Sequence, residues 1–361
     1  MLYLSNDDVK KLLDMKICLR ALEGGYRDLL EGNAVYRPRI DVYMPSDDDE
    51  KCYRWGSMEG ACRTPGVFAI RMKSDLVWWP DGKTSEKCCI EPGTYCGLIM
   101  LFSTRNGAPL SIMNDGIIQH MRVGGSAGLG VKYMSREGPA VVGMLGSGGM
   151  ARTYLEAFSE VRKIDRVKVF SPSKDHRESY AREMAAALNV PVVAVGSAEE
   201  SVRGSDIVAT CTNSAIAVVE DPSWIKEGAH LTCVRANEWN PDVLKRCKVV
   251  AILGRHTIDK MDEGMRKYQS TASYVAKSLE EKGLIHASKV NIFEGNYPTL
   301  TDLMGDNVAG RTSPQDITFF ITAGTQGLQF ASVAGEVFRL ARERGVGREL
   351  KDEWFVQDIR D

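Results

Sequence analysis

From residue 138 to 255 the chain alternates short apolar, β-branched runs with stretches of helical periodicity. The runs are AVVGML (140–145), RVKVF (166–170), PVVAV (191–195), DIVAT (206–210), HLTCV (230–234) and VVAIL (249–253), and the helical patterns cover 149–162, 175–188 and 197–203. This alternation predicts βαβ units and a parallel sheet covered on both faces, an α/β fold. The first 125 residues read as α+β. A short strand and a Ser5-Asn6 cap lead into helical stretches at 7–13 and 15–31, then strand-like runs at 36–44, 51–58, 66–73 and 95–102. Between the last two runs, WWPDGKTSEKCCIEPG (78–93) reads as a long polar, irregular loop, and loops of that length inside a compact domain are commonly functional. Beyond 255 the pattern predicts helices at 259–283 and 299–305, a strand in FFITAG (319–324), and a helix from 326 to 344 ending at Gly345.

Composition narrows the class. A chain of 361 residues suits two domains better than one. Its 46 basic and 48 acidic side chains leave a charge of −2, too little to hold a nucleic-acid backbone. No run of 18 apolar residues predicts a membrane span, and the start, MLYLSNDDVKK, lacks the pattern of a signal peptide. Nine scattered cysteines without a CxxC pair predict free thiols in a reducing cytoplasm and no metal site. The 34 glycines are a mild excess, and their positions matter more than their number.

One glycine cluster has the context of a dinucleotide site. Gly146, Ser147, Gly148, Gly149, Met150 and Ala151 form a GxGxxA string directly after an apolar strand and directly before a helix. The first glycine permits the tight turn, the second lets backbone approach a pyrophosphate, and the small last residue allows close helix–strand packing. No carboxylate stands at the tip of the next strand to meet a ribose 2′-hydroxyl. Ser171, Ser173, Lys174 and Arg177 stand there instead, which favours NADP over NAD. A second cluster, Gly124, Gly125, Gly128 and Gly130, lies in a helical stretch and predicts close packing rather than a phosphate cradle.

Together with its surroundings, the segment MRVGGSAGLGVKYMSREGPAVVGMLGSGGMARTYLEAF (121–158) resembles the ornithine cyclodeaminase/μ-crystallin family. Further resemblance runs through RPRIDVYMP (37–45), GVFAIRMKSD (66–75), GTYCGLIMLFSTRNGAPL (93–110), VRGSDIVATCTNS (202–214) and DLMGDNVAGRTSPQDITFFITAGTQGLQ (302–329). It implies a Rossmann domain (129–315) inserted into an α+β substrate-binding and dimerisation domain (1–128 with 316–361), working as a homodimer. It also implies a nicotinamide cofactor and an α-amino or α-imino carboxylate substrate. Fold is a safer inference than reaction in such a family.

The resemblance assigns roles by position. Arg122 and Arg39 would clamp the substrate carboxylate. Arg71 and Lys73 share one face of a strand, and the register leaves open which matches the family lysine; Lys73 is preferred because it can exchange a proton. Thr94 would contact the carboxylate, or its hydroxyl could cap a turn. Thr212, Asn213 and Ser214 would touch the ribose or nicotinamide. Where cyclodeaminases carry an aspartate, this chain has Asn237, with Glu238 next to it. His120, near Arg122, is expected to support the site from behind or to pack, and Trp78, Trp79 and Asp81 to shape specificity. The leading expectation is an NAD(P)H-dependent imine reductase, or the reverse amino-acid dehydrogenase. The alternatives are an ornithine cyclodeaminase, if Glu238 acts as base, and a non-catalytic NADPH-binding protein of the crystallin kind.

Overall fold

The computed structural model describes residues 1–80, 85–254, 272–276, 278 and 296–359. Strand β1 (Leu2–Leu4) is followed by helices α1 (Asn6–Leu12) and α2 (Met15–Leu30), capped by Ser5 and Asp14. Next come β2 (Ala34–Tyr36), β3 (Ile40–Pro45), β4 (Cys52–Cys62), β5 (Val67–Trp78), β6 (Glu86–Cys88), β7 (Cys96–Ser103), β8 (Pro109–Asn114) and helix α3 (Gly116–Met134). The alternating stretch gives β9 (Ala140–Leu145), α4 (Gly149–Val161), β10 (Ile164–Phe170), α5 (Lys174–Leu188), β11 (Val192–Ala194), α6 (Ala198–Val202), β12 (Ile207–Thr210), β13 (His230–Cys233) and β14 (Val249–Ile252). The remaining elements are β15 (Ala272–Val275), α7 (Leu300–Met304), β16 (Thr318–Ile321), α8 (Gln326–Arg344) and β17 (Arg348–Glu349).

Two sheets result. Seven parallel strands run in the order β11-β10-β9-β12-β13-β16-β14. The order reverses between β9 and β12, so the loops after those two strands flank the crevice where ligands bind in open α/β sheets. The other sheet is mixed, ordered β15-β3-β4-β5-β7-β8-β1-β17, with β2 on β4 and β6 on β5.

Two helices tie the sheets together. The glycines of α3 let it approach α4 closely, since a β-carbon at Gly124 would overlap the Thr153 carbonyl and one at Gly128 would crowd Ala157. Small-residue packing is therefore the role of that cluster. Helix α8 crosses the mixed sheet at Gly60 and Gly327, which touch backbone to backbone, and buries Leu328, Phe330, Ala331, Val333 and Ala334 in the core it shares with α2 and α3. The chain thus returns from the parallel sheet to finish the mixed one.

Three local expectations need correction. The segment 78–93 is not wholly irregular, because β6 pairs antiparallel with β5 and closes the ladder beyond Leu76. Strand β8 was not legible in its sequence, PLSIMN. The helix expected over 259–283 is a strand at Ala272–Val275, where parallel hydrogen bonds to the exposed edge of β3 prevail over helical periodicity. Apart from residues 276 and 278, the rest of that stretch, and Asp81, lie outside the described residues.

Candidate active site between the two sheets

Strand β5 alternates strictly between buried and half-buried positions, and its buried face reads Val67, Ala69, Arg71, Lys73, Asp75, Val77. Three consecutive ionisable side chains on a core-facing stripe are uncommon unless paired. They line a cavity of about 550 Å³ whose other walls include α3, Met150 in the first turn of α4, and Arg235 in the loop after β13.

The middle of the stripe is Lys73, 5% exposed. Its ammonium lies 3.3 Å from Asp41 and 3.6 Å from Asp75. Burial, with the charges of Arg39 and Arg54 alongside, pulls its pKa from 10.5 down to about 6. Arg39 donates to Asp41 at 2.7 Å and Arg54 to Asp75 at 2.9 Å. Burial opposes both carboxylates' charges, but these cations outweigh it and hold both below the usual range. The neighbourhood is sculpted around this cluster, since a β-carbon at Gly56 would meet Asp41 and the end of Lys73.

Toward α3, Arg71 binds Asp115 at 2.6 Å. Arg122 is held by Gln119 and by Gln329 of α8, both at 2.8 Å. Both guanidinium groups stand over the Phe330 ring, at 5.6 and 4.8 Å. Burial, then the adjacent Arg71, works against the Arg122 charge. Its Nε, like those of Arg39 and Arg54, is buried and has no hydrogen-bond partner. Such groups favour an anion that would complete them.

The parallel sheet supplies the facing wall. Gly146 adopts φ 110° and lies against the Cys211 carbonyl, so only glycine fits where the β9 and β12 loops meet. Gly148 caps α4 with no side chain on the first-turn amides and open space before it. A pyrophosphate fits that cradle, with Ser147 and Gly149 beside it and Met150 lining the cavity. Ala151 is fully buried behind it, under the Tyr180 hydroxyl. At the tip of β10, Ser171 meets the Ser147 hydroxyl at 2.9 Å. Arg177 is tied to the Ser171 and Pro172 carbonyls, Ser173 caps α5, and Lys174 is exposed, 3.8 Å from Glu178.

Two expected site residues are placed elsewhere. Thr94 donates to the carbonyls of Cys89 and Glu91, so its hydroxyl closes a turn instead of facing the cavity. Glu238 is fully buried and accepts four hydrogen bonds, from the Thr210 and Thr212 hydroxyls and the Thr212 and Arg235 amides. Burial raises its pKa, yet every lone pair within reach is engaged, so the expectation of a free base there is corrected: Glu238 braces the loops after β12 and β13. Asn237 donates to the Ser214 carbonyl at 2.9 Å. Thr212 is held by that brace, Ser214 bonds to Ile216, and Asn213 is exposed.

Among the lining residues not foreseen in this role are Arg54, Lys87, His120 and Arg235. Arg54 shares a face with Gly56 and Met58 by strand alternation, and Arg235 follows a parallel strand at its ligand-binding edge, so both left a readable signal. Lys87 left none, because β6 is specified only by its pairing. His120 sits beside Gly149 rather than packing in a core. Arg235 also reaches across the cavity mouth, donating to Ser85 at 3.2 Å and to the Asn213 carbonyl at 3.4 Å.

Comparison with known proteins agrees with this architecture. The chain is 24% identical to the alanine dehydrogenase of Archaeoglobus fulgidus over 357 residues, covering 97% of this chain and 98% of that one. It is 24% identical over 286 residues to a Delta(1)-pyrroline-2-carboxylate reductase of Bacillus cereus, 79% of this chain and 82% of the other. The solved structure of the Thermococcus litoralis Delta(1)-pyrroline-2-carboxylate reductase, in complex with NADH and L-proline, superposes with a TM-score of 0.75 at 24% identity, covering 97% of this chain and all of that one. The family model of ornithine cyclodeaminase and mu-crystallin matches residues 85–335, and with the shared two-sheet fold this chain belongs to the ornithine cyclodeaminase/mu-crystallin family.

Proposed function

We propose that the protein is an NAD(P)H-dependent reductase of an α-imino acid, or the reverse amino-acid dehydrogenase. The observation that carries this reading is Lys73: a buried lysine poised near neutrality, between arginines, facing a dinucleotide cradle. A nicotinamide cofactor bound at Gly146–Ala151 supplies the hydride. Arg122 and Arg71 take the α-carboxylate, Arg71 replacing Arg39 because both guanidiniums stand over the same Phe330 ring while Arg39 is paired with Asp41. Lys73 gives the imine nitrogen the proton that makes its carbon electrophilic, and recovers one between turnovers. Met150 and His120 crowd water from the face opposite β5.

The named relatives act on alanine and on a cyclic imine, which supports the reaction type and leaves the side chain open. NADP remains the proposed cofactor, with Ser171, Ser173, Lys174 and Arg177 around a 2′-phosphate. Replacing Lys174 by Asp should then weaken NADPH about tenfold more than NADH in fluorescence titration; equal effects would return the choice to NAD. The homodimer and the division into 1–128 with 316–361 and 129–315 are carried forward as working proposals, as is a cytoplasmic location. Among the described residues no helix is long and apolar enough to cross a membrane.

The test is nicotinamide absorbance with α-keto acids plus ammonium and with cyclic α-imino acids. Turnover is expected, and Lys73→Met should abolish it while dinucleotide still binds. Ammonia release from L-ornithine without net cofactor change would instead support the cyclodeaminase reading. Tight NADPH binding with no turnover of any substrate would support the crystallin-like one.

A further inference from the structure

The cavity is short of anions at two separate places. Beside α3, Arg71 pairs with Asp115, while Arg122 is held by the Gln119 and Gln329 amide oxygens and has no ion pair among the described residues. At the other end, around a Lys73 that is largely uncharged at neutral pH, Arg39, Arg54 and Lys87 face two carboxylates, Asp41 and Asp75. Each end therefore keeps one uncompensated cation, and each holds buried guanidinium nitrogens without a partner: Arg122 Nε at the first, Arg39 Nε and Arg54 Nε at the second. A single α-carboxylate would satisfy only one end.

The spacing suits one small molecule. Arg71 and Asp75 lie four residues apart on β5, about 13 Å along the strand, with Lys73 midway. All four arginines line the one cavity, and the Arg39 charge is felt at Arg122, so the two ends are close enough for a molecule a few carbons long to span.

We propose that the substrate bears a second carboxylate on its side chain, and that Arg54, with Arg39, receives it. This rests on the imino-acid reading above. The α-carboxylate goes to Arg71 and Arg122, the nitrogen to Lys73, and the distal carboxylate to the Arg39–Arg54 end. The substrate class is thus a short dicarboxylic α-imino acid, formed from a keto diacid and ammonia with loss of water. Reduction adds a hydride to the imine carbon and a proton to nitrogen, yielding an acidic amino acid and oxidised nicotinamide. Arg54 makes no contact with the reacting atoms and sets specificity.

The test compares chain-matched pairs in the ammonium-dependent assay: 2-oxoglutarate against 2-oxopentanoate, and oxaloacetate against 2-oxobutanoate. The diacid of at least one pair is expected to lead in kcat/KM by about 100-fold, because a buried pair of arginines left empty by the mono-acid is costly. Arg54→Gln should erase most of that ratio through KM, and Arg54→Lys should restore part of it. Mono-acids matching or exceeding both diacids, or a ratio unmoved in Arg54→Gln, would overturn the proposal. A second arm needs no turnover: calorimetric titration with glutarate against pentanoate, in the presence of oxidised dinucleotide. Glutarate bound by the wild type and lost in Arg54→Gln sustains the two-carboxylate site even if the reductase reading fails. Equal binding of both acids overturns it.

Discussion

Lys73 shows what the site costs the fold. Between pH 6 and 10.5 the unfolded chain holds a proton there that the folded chain does not, so this residue's stability contribution improves as pH rises through that window. Below about pH 6 the full cost of burying the ammonium is felt. Lys73→Met should therefore raise the melting temperature, and by more at pH 6 than at pH 10, although it removes turnover; a drop in melting temperature at pH 6 would contradict the burial argument. In the wild type, kcat/KM for imine reduction should fall as pH rises through about 6, and amine oxidation should rise there. Glu238 behaves oppositely. Glu238→Gln would point an amide N–H₂ at donors already facing it, at a cost of about 2–4 kcal/mol. Thermal unfolding should register that loss alongside weaker dinucleotide binding, with no selective loss of one amine substrate.

Among the elements, the parallel strands were legible because alternation of β-branched runs and helices is dictated by two covered faces. The mixed sheet was harder. Strand β5 carries arginine, lysine and aspartate inward, so its polarity imitates a surface strand, and only the cavity behind it explains why these charges are tolerated. Residues 71 and 73 posed a register question; both lie on the buried face and line the cavity, and the proposed function uses both. Strand β6 is a short polar segment fixed only by folding back on the end of β5, and the strand at 272–275 depends on β3, far back along the chain, so local pattern carries no trace of either. Within the segment 302–329, Arg311 proves to be a staple: it reaches the carbonyls of Met134, Gly228 and Asp316, pinning the end of α3 to the parallel sheet. Gly124→Val should be among the most damaging single changes, since α3 cannot retreat from the Thr153 backbone; a loss of about 3 kcal/mol or outright insolubility is expected in denaturant unfolding.

For the whole molecule, the cavity exists only where both sheets meet, and Arg235 bonded to Ser85 bridges its mouth. A dinucleotide at 100 times its dissociation constant should stabilise the native chain by about 2.7 kcal/mol, read as a concentration-dependent rise in melting temperature. Arg235→Ala should leave that rise largely intact while raising KM for substrate, because the bridge shapes the entrance more than the phosphate cradle.

The Arg122–Gln329 contact joins positions 207 residues apart, and Phe330, under both arginines, arrives with it. On the ribosome, the first 134 residues emerge long before the helix that covers their sheet. Until α8 is made, the apolar surface around Leu22, Met58 and Val67 has no lid, and closing so long a loop is slow. Biosynthesis therefore leaves an exposed half-built pocket waiting while the parallel sheet folds in the interval. A nascent chain stalled before residue 326 should be a chaperone client, and a later-translated helix decides whether the earlier sheet survives.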